Sequence, residues 1–127
     1  MIRYPTLDDL LRITERLHDG ERPVRDLGLL ASAAARPATT VFGEDAYPSF
    51  EDKAAALLHS LVRNHPLVDG NKPLGWVATR FFYLMNNRVL QAQEDEAFDL
   101  VIAVAEGRLD VPDIAAELRR WGSEEQP

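Results

Sequence analysis

The reading of the fold turns on residues 59–82, "HSLVRNHPLVDGNKPLGWVATRFF", and within them on residues 65–73, "HPLVDGNKP". Apolar residues recur at helical spacing on both sides: Leu57, Leu58, Leu61 and Val62 before it, Leu74, Val77, Ala78, Phe81 and Phe82 after it. Pro66 forces the chain out of the first helix. The second helix starts near Asn71. The segment is therefore a connection between two helices, and the start of a helix offers unpaired N–H groups and a positive dipole end. A turn needs Gly, Asn and Asp. It does not need His65 four residues before Asp69, nor Lys72 directly after "DGN".

Each residue type in this segment has a chemical use. His65, with an unperturbed pKa near ~6.5, can take a proton from an attacking hydroxyl. Asp69 is a hard oxygen ligand suited to Mg²⁺, an ion that keeps several waters and binds substrate phosphates as well. Gly70 permits close backbone approach or a positive φ. Asn71 can orient a phosphate or cap the helix, and Lys72 adds a point charge for phosphate oxygens. A base, a metal carboxylate and a helix-terminal cradle are the parts needed for transfer from a nucleoside triphosphate. Taken singly, each has a plainer explanation: Asp-Gly is a common turn, Asn71 an N-cap, Lys72 a solvated surface charge, and a His beside Pro a structural residue. The ordered set favours the functional reading.

Elsewhere the pattern is helical. Thr6 with Asp9, and Ser49 with Asp52, read as capping boxes. Asp26 can cap "LGLLASAAA", which Pro37 ends. A fifth helix is expected from about Glu94 to Glu106, with Phe98, Val101, Ile102 and Ala105 inward. A sixth starts at Asp110 with Pro112 in its first turn. Thr39 to Tyr47 is β-prone around Gly43 and reads as a flap or small hairpin. The expectation is an all-α single domain over residues 1–122, a bundle of about six helices with one flap. Residues 123–127 are expected to form a flexible tail.

Composition sets limits. The 127 residues are 46% hydrophobic and 28% charged, with no Cys, so no disulfide or thiolate zinc site is available. No apolar run reaches the ~18–20 residues a membrane span needs. The opening "MIRYPTLDD" turns polar at once and does not read as a secretory signal, so the expected compartment is the cytoplasm. Net charge is −7. The first 93 residues balance 11 acidic against 11 basic side chains, and the last 34 carry 10 against 3. Such a balance argues against direct nucleic-acid binding, which needs basic surface to displace counterions. It fits a solvated acidic face, or a surface for a basic partner.

The segment "HPLVDGNKP" between two helices resembles the signature of the Fic/Doc family, His-x-Phe-x-Asp/Glu-Gly/Ala-Asn-Gly/Lys-Arg. It is most similar to the Doc (death-on-curing) toxin branch. "GLLASAAARP" and "FGEDAYPSFEDKAAALLHSLVRNHP" carry the same likeness, which spans roughly residues 27–90. The resemblance implies an all-α fold with the motif loop between two central helices and a flap beside it. It implies His65 as general base, Asp69 as the Mg²⁺ ligand, and Gly70, Asn71 and Lys72 as the phosphate cradle. Lys72 stands where AMP-transferring members have Gly, and Trp76 where they have a second Arg. Both differences imply ATP bound in the reversed sense, with the γ-phosphate passing to a threonine of elongation factor Tu and translation stopping. The flap would hold the target segment as an added strand.

Two positions depart from the motif. Leu67 replaces Phe, one apolar anchor for another. Pro73 replaces Arg, and this removes a planar, permanently charged fork for phosphate oxygens. Pro also lacks an N–H but is tolerated in a first helical turn. The implied function is a phosphate-transferring toxin attenuated or inactivated at Pro73. The alternatives are a catalytically dead toxin fold that binds an antitoxin, an AMP-transferring enzyme, and a helical interaction module acting through its acidic C-terminal face. Self-inhibited relatives carry a helix Ser/Thr-x-x-x-Glu-Gly/Asn. Here the single Glu-Gly, Glu106-Gly107, has Ile102 four residues before the Glu. Inhibition is then expected from a separate Phd-type antitoxin, docked in a groove beside the flap and second helix. Arg36 either lines that groove or serves as the charged end of its helix.

Overall fold

The computed structural model describes residues 1–124. Six α-helices build the domain: α1 Leu7–Leu17, α2 Leu27–Ala35, α3 Phe50–Arg63, α4 Asn71–Met85, α5 Glu94–Ala105 and α6 Val111–Trp121. The capping boxes at Thr6 and Ser49 form, and Asp26 accepts from the Leu29 N–H. A third box, Asp110 with Asp113, starts α6. The acids near the C-terminus are partly explained by this role, since Glu94, Asp95 and Glu96 also occupy the first turn of α5, where negative charge complements the dipole. Among the described residues no helix is long and apolar enough to cross a membrane.

The sequence pattern suggests one apolar face for α3, but this helix is the centre of the molecule. Ten of its fourteen residues are buried, including Lys53 and Ser60. The run Ala54–Ala56 is fully buried because small side chains let neighbouring helices close in on more than one side. Buried Lys53 donates to the carboxylate of Asp45 at 3.1 Å and to the Tyr47 carbonyl, so it is satisfied and ties the flap to α3. The flap is a hairpin, β1 Thr40–Val41 against β2 Glu44–Asp45, turned by Phe42 and Gly43 at positive φ. Helix α4 packs along α3. A Cβ on Gly75 would stand 2.6 Å from Val62 Cγ2 and 3.0 Å from Leu58 Cδ1, so the two helices approach through a missing side chain.

Three expectations are corrected. Phe98 is not inward: it is 64% exposed, because α5 buries the face of Ala97, Leu100, Val101 and Val104 and turns Phe98 to the rim of a groove. Val77, placed on the apolar stripe of α4, is likewise exposed. The first two residues of the expected flexible tail, residues 123–127, stand in a strand. Ser123 and Glu124 belong to β4, Gly122–Glu124, which pairs antiparallel with β3, Arg88–Leu90. Residues 125–127 lie outside the described residues.

Gly75→Ala adds helix propensity yet should lower stability. The α3–α4 gap has no room for a methyl group, and overpacking costs about 1–3 kcal/mol against a gain of ~1 kcal/mol. Urea unfolding of the two proteins measures the sign.

Candidate functional site

Residues 64–70 join α3 to α4 through a loop that has little strength of its own. Pro66 and Gly70 break regular structure, and His65 takes a left-handed conformation at φ 50°, uncommon outside glycine. Strain of this kind persists only where surroundings enforce it. Three sets of bonds do so. Asn71 is buried, accepts from the Leu67 N–H at 2.9 Å and donates back to the Leu67 carbonyl at 3.0 Å. Arg25 donates to the carbonyls of His65 at 2.7 Å and Asn64 at 2.9 Å. The segment before α2 is laced to the loop along its backbone, with Arg25 and Asp26 N–H to the Pro66 carbonyl and Val68 N–H to the Pro23 carbonyl.

A fourth support comes from α1. The His18 ring bridges its own last turn to the loop, with Nδ1 2.7 Å from the Thr14 carbonyl and Nε2 3.2 Å from that of Asp69. The same ring fills the space beside Gly70. A Cβ there would meet His18 Nε2 at 2.6 Å, and Gly70 also has φ 88°. Glycine is needed at this position on both counts.

Each residue named from the sequence can now be placed. Gly70 is the N-cap of α4, so Asn71 is the first helical residue and not the cap. Its side chain closes the loop behind it. The Asn71 amide lies 3.4 Å from His65 Nδ1, a long contact, and the exposed imidazole has no other hydrogen-bond partner among the described residues. Asp69 and Lys72 are exposed, and neither side chain forms an ion pair or hydrogen bond among the described residues. His65, Asp69, Gly70, Asn71 and Lys72 therefore lie together around one helix start. Such a start leaves four backbone N–H groups without helical partners. Gly70, Asn71 and Lys72 supply theirs; Pro73 is exposed and supplies neither an N–H nor a charge.

A metal at Asp69 has a bounded fit. Among the described residues no group of three His, Cys, Asp or Glu side chains could hold an ion. A lone carboxylate suits Mg²⁺ only when phosphate oxygens and waters complete the shell. The residues thus fit a metal that arrives with a polyphosphate, and not one held by protein alone.

Residues 4–83 match the Fic/DOC family. The chain belongs to the Fic/Doc family. Over 128 residues, 99% of this chain and 98% of the relative, it is 47% identical to the protein named Toxin Doc from Mycolicibacterium smegmatis (strain ATCC 700084 / mc(2)155). In this Fic/Doc chain the loop that carries His65 and Asp69 joins α3 to α4, and the flap is anchored to α3.

The groove next to the flap is lined by Ser32, Arg36, Thr39, His59 and Asn64, with a volume near 480 Å³. Arg36 does reach it, but its guanidinium is committed. It donates to the Tyr47 hydroxyl at 2.8 Å, to Ser60 Oγ at 3.0 Å and to His59 Nδ1 at 3.0 Å, and lies 5.3 Å from the Tyr47 ring centroid. Arg36 fastens the flap to α3 as well as lining the groove. Burial, then the Arg36 charge, lowers the pKa of His59 from its ordinary value. The two supports missed from the sequence are His18 and Arg25. Both act across long sequence separations, and the one local cue was a histidine and an arginine flanking the connection between α1 and α2.

Asn71→Ala should cost about 2–4 kcal/mol, because both Leu67 backbone groups lose their partner in a buried place. Hydrogen exchange would show the Leu67 amide opening much faster while the α3 core stays protected.

Proposed function

We propose that this protein is a Doc-type toxin that transfers the terminal phosphate of Mg²⁺-ATP to a hydroxyl of a protein target, a threonine of elongation factor Tu, attenuated by Pro73. The observation that carries the reading is the gathering of His65, Asp69 and Lys72 around the start of α4, held by a loop whose strained His65 backbone is fixed from three sides.

The chemistry follows from the parts. The backbone N–H groups of Gly70, Asn71 and Lys72 and the Lys72 ammonium receive phosphate oxygens. Asp69 would hold Mg²⁺, which when bound neutralises charge on the phosphates. The target hydroxyl gives its proton to the unprotonated nitrogen of a neutral His65 imidazole as its oxygen bonds to the terminal phosphorus. The bond from that phosphorus to the bridging oxygen breaks, and ADP leaves. The exposed flap, with Val41 on its first strand and Phe42 at its turn, suits an extended target segment added as a strand. Inhibition by a Phd-type antitoxin, through a tail that folds on docking in the Arg36 groove, belongs to the same reading.

The position of Pro73 favours a second reading, a toxin fold that binds but does not turn over. Pro73 stands in the first turn of α4, where the family motif has Arg. Loss of one preorganised charge contact costs on the order of 10²–10³ in rate.

Pro73→Arg should therefore raise transfer of label from γ-labelled ATP to purified elongation factor Tu by about 10²-fold. His65→Ala in that background should abolish it. Equal activity with Pro73 and with Arg contradicts attenuation. Label arriving from α-phosphate instead identifies AMP transfer.

A further inference from the structure

Arg36 carries a positive charge with no negative partner. Its guanidinium is half-buried and bonds only to neutral groups: the Tyr47 hydroxyl, the Ala56 carbonyl at 3.3 Å, His59 Nδ1 and Ser60 Oγ. Those bonds leave from Nε and Nη1, and Nη2 has no partner among the described residues. Nor does any carboxylate among the described residues form an ion pair with it. A charge taken partly out of water without a counter-ion is unfavourable, and a carboxylate is the group that a guanidinium fork matches best. The groove beside it adds donors. Because Nη1 donates to His59 Nδ1, the hydrogen of a neutral ring sits on Nε2, which has no hydrogen-bond partner among the described residues. Burial and the Arg36 charge hold the His59 pKa below its ordinary value, against a smaller opposite pull from Asp110, and so favour that neutral form. Ser32 and Thr39 add hydroxyls and Asn64 an amide, and no acid lines the groove.

We infer that this groove takes the carboxylate of an aspartate or glutamate side chain on an extended protein segment laid along the flap. The inference rests on the reading above that a protein segment docks beside the flap. Thr39 lines the groove and directly precedes β1, which pairs with β2 on one side only. A segment added to the free edge of β1 runs on past Thr39 over the groove, and every second side chain of a strand points to the same face. So placed, one acidic side chain faces Arg36 and His59. Ser32 offers a check within the chain. It is exposed and stands four residues before Arg36 along α2, the spacing at which an acid and an arginine meet on a helix. An acid at that position would occupy the site from within.

The test is an NMR titration of the isotope-labelled full chain, near neutral pH and at constant ionic strength. The probes are the peptide acetyl-Val-Thr-Glu-Thr-Val-amide, its counterpart with Gln for Glu, and glutarate. The Glu peptide should bind about tenfold more tightly than either other probe, and should shift the side-chain N–H signals of Arg36 and His59. Ser32→Asp should abolish the preference for Glu over Gln, whereas Ser32→Asn should keep it. Both substitutions lie on an exposed face and spare the core. Equal binding of the two peptides, or a preference that survives Ser32→Asp, overturns the carboxylate site and leaves docking at the flap standing. Glutarate bound as tightly as the Glu peptide overturns the assignment to a protein segment. If neither peptide shifts the signals of β1 and β2, the docking reading itself fails, and this inference with it.

Discussion

Two hydrogen bonds from one side chain hold the site together. The Asn71 amide closes on the N–H and the carbonyl of Leu67 and so fixes the distance between the end of α3 and the start of α4. Leu67 itself is buried as an apolar anchor, so the loop is held by packing at one residue and by polar pairing at the next element. With that closure made, His65 can be kept in a left-handed conformation and Asp69 kept outside the core. Arg25 and His18 then brace the loop from α2's approach and α1's end. The loop is thus rigid by construction, although its composition is that of an ordinary turn.

This arrangement separates structural from chemical roles within one motif. Asn71 and Gly70 spend their special properties on the loop: the first is buried and paired, the second has a positive φ and a ring against its Cα. His65, Asp69 and Lys72 are left exposed, and the proposed function assigns them to the ligand. Pro73 is compatible with the first half, and under the function proposed here it would weaken the second. It keeps a first-turn geometry that α4 tolerates, while removing a donor and a charge from the same helix start.

Much of the architecture was legible because it is local. Thr6, Asp26 and Ser49 cap helices where their spacing says they should, and Gly43 turns the flap. What was not legible depends on partners distant in sequence. Phe98 has the right spacing for a core residue of α5, but the neighbours of that helix cover a different face. Arg88–Leu90 reads as a connection until Gly122–Glu124 comes alongside it. Periodicity gives α3 one apolar face, whereas tertiary packing buries it nearly all round and with it Lys53, whose charge finds Asp45 and Tyr47. The motif residues were named from their order. The division of labour between Asn71 and Asp69 needed coordinates, since both side chains could serve either purpose.

On the function proposed above, the 65–72 loop, locked by Asn71, presents a polyphosphate site at the start of α4 with His65 beside it. A crystal structure of the protein soaked with Mg²⁺ and a non-hydrolysable ATP analogue tests it most directly. The expected result is phosphate oxygens on the N–H groups of Gly70–Lys72, the metal on the Asp69 carboxylate, and the His65 ring facing the terminal phosphate with the Asn71–Leu67 bonds unbroken. A nucleotide bound elsewhere, or a loop that must open its Asn71 closure to admit one, would contradict it.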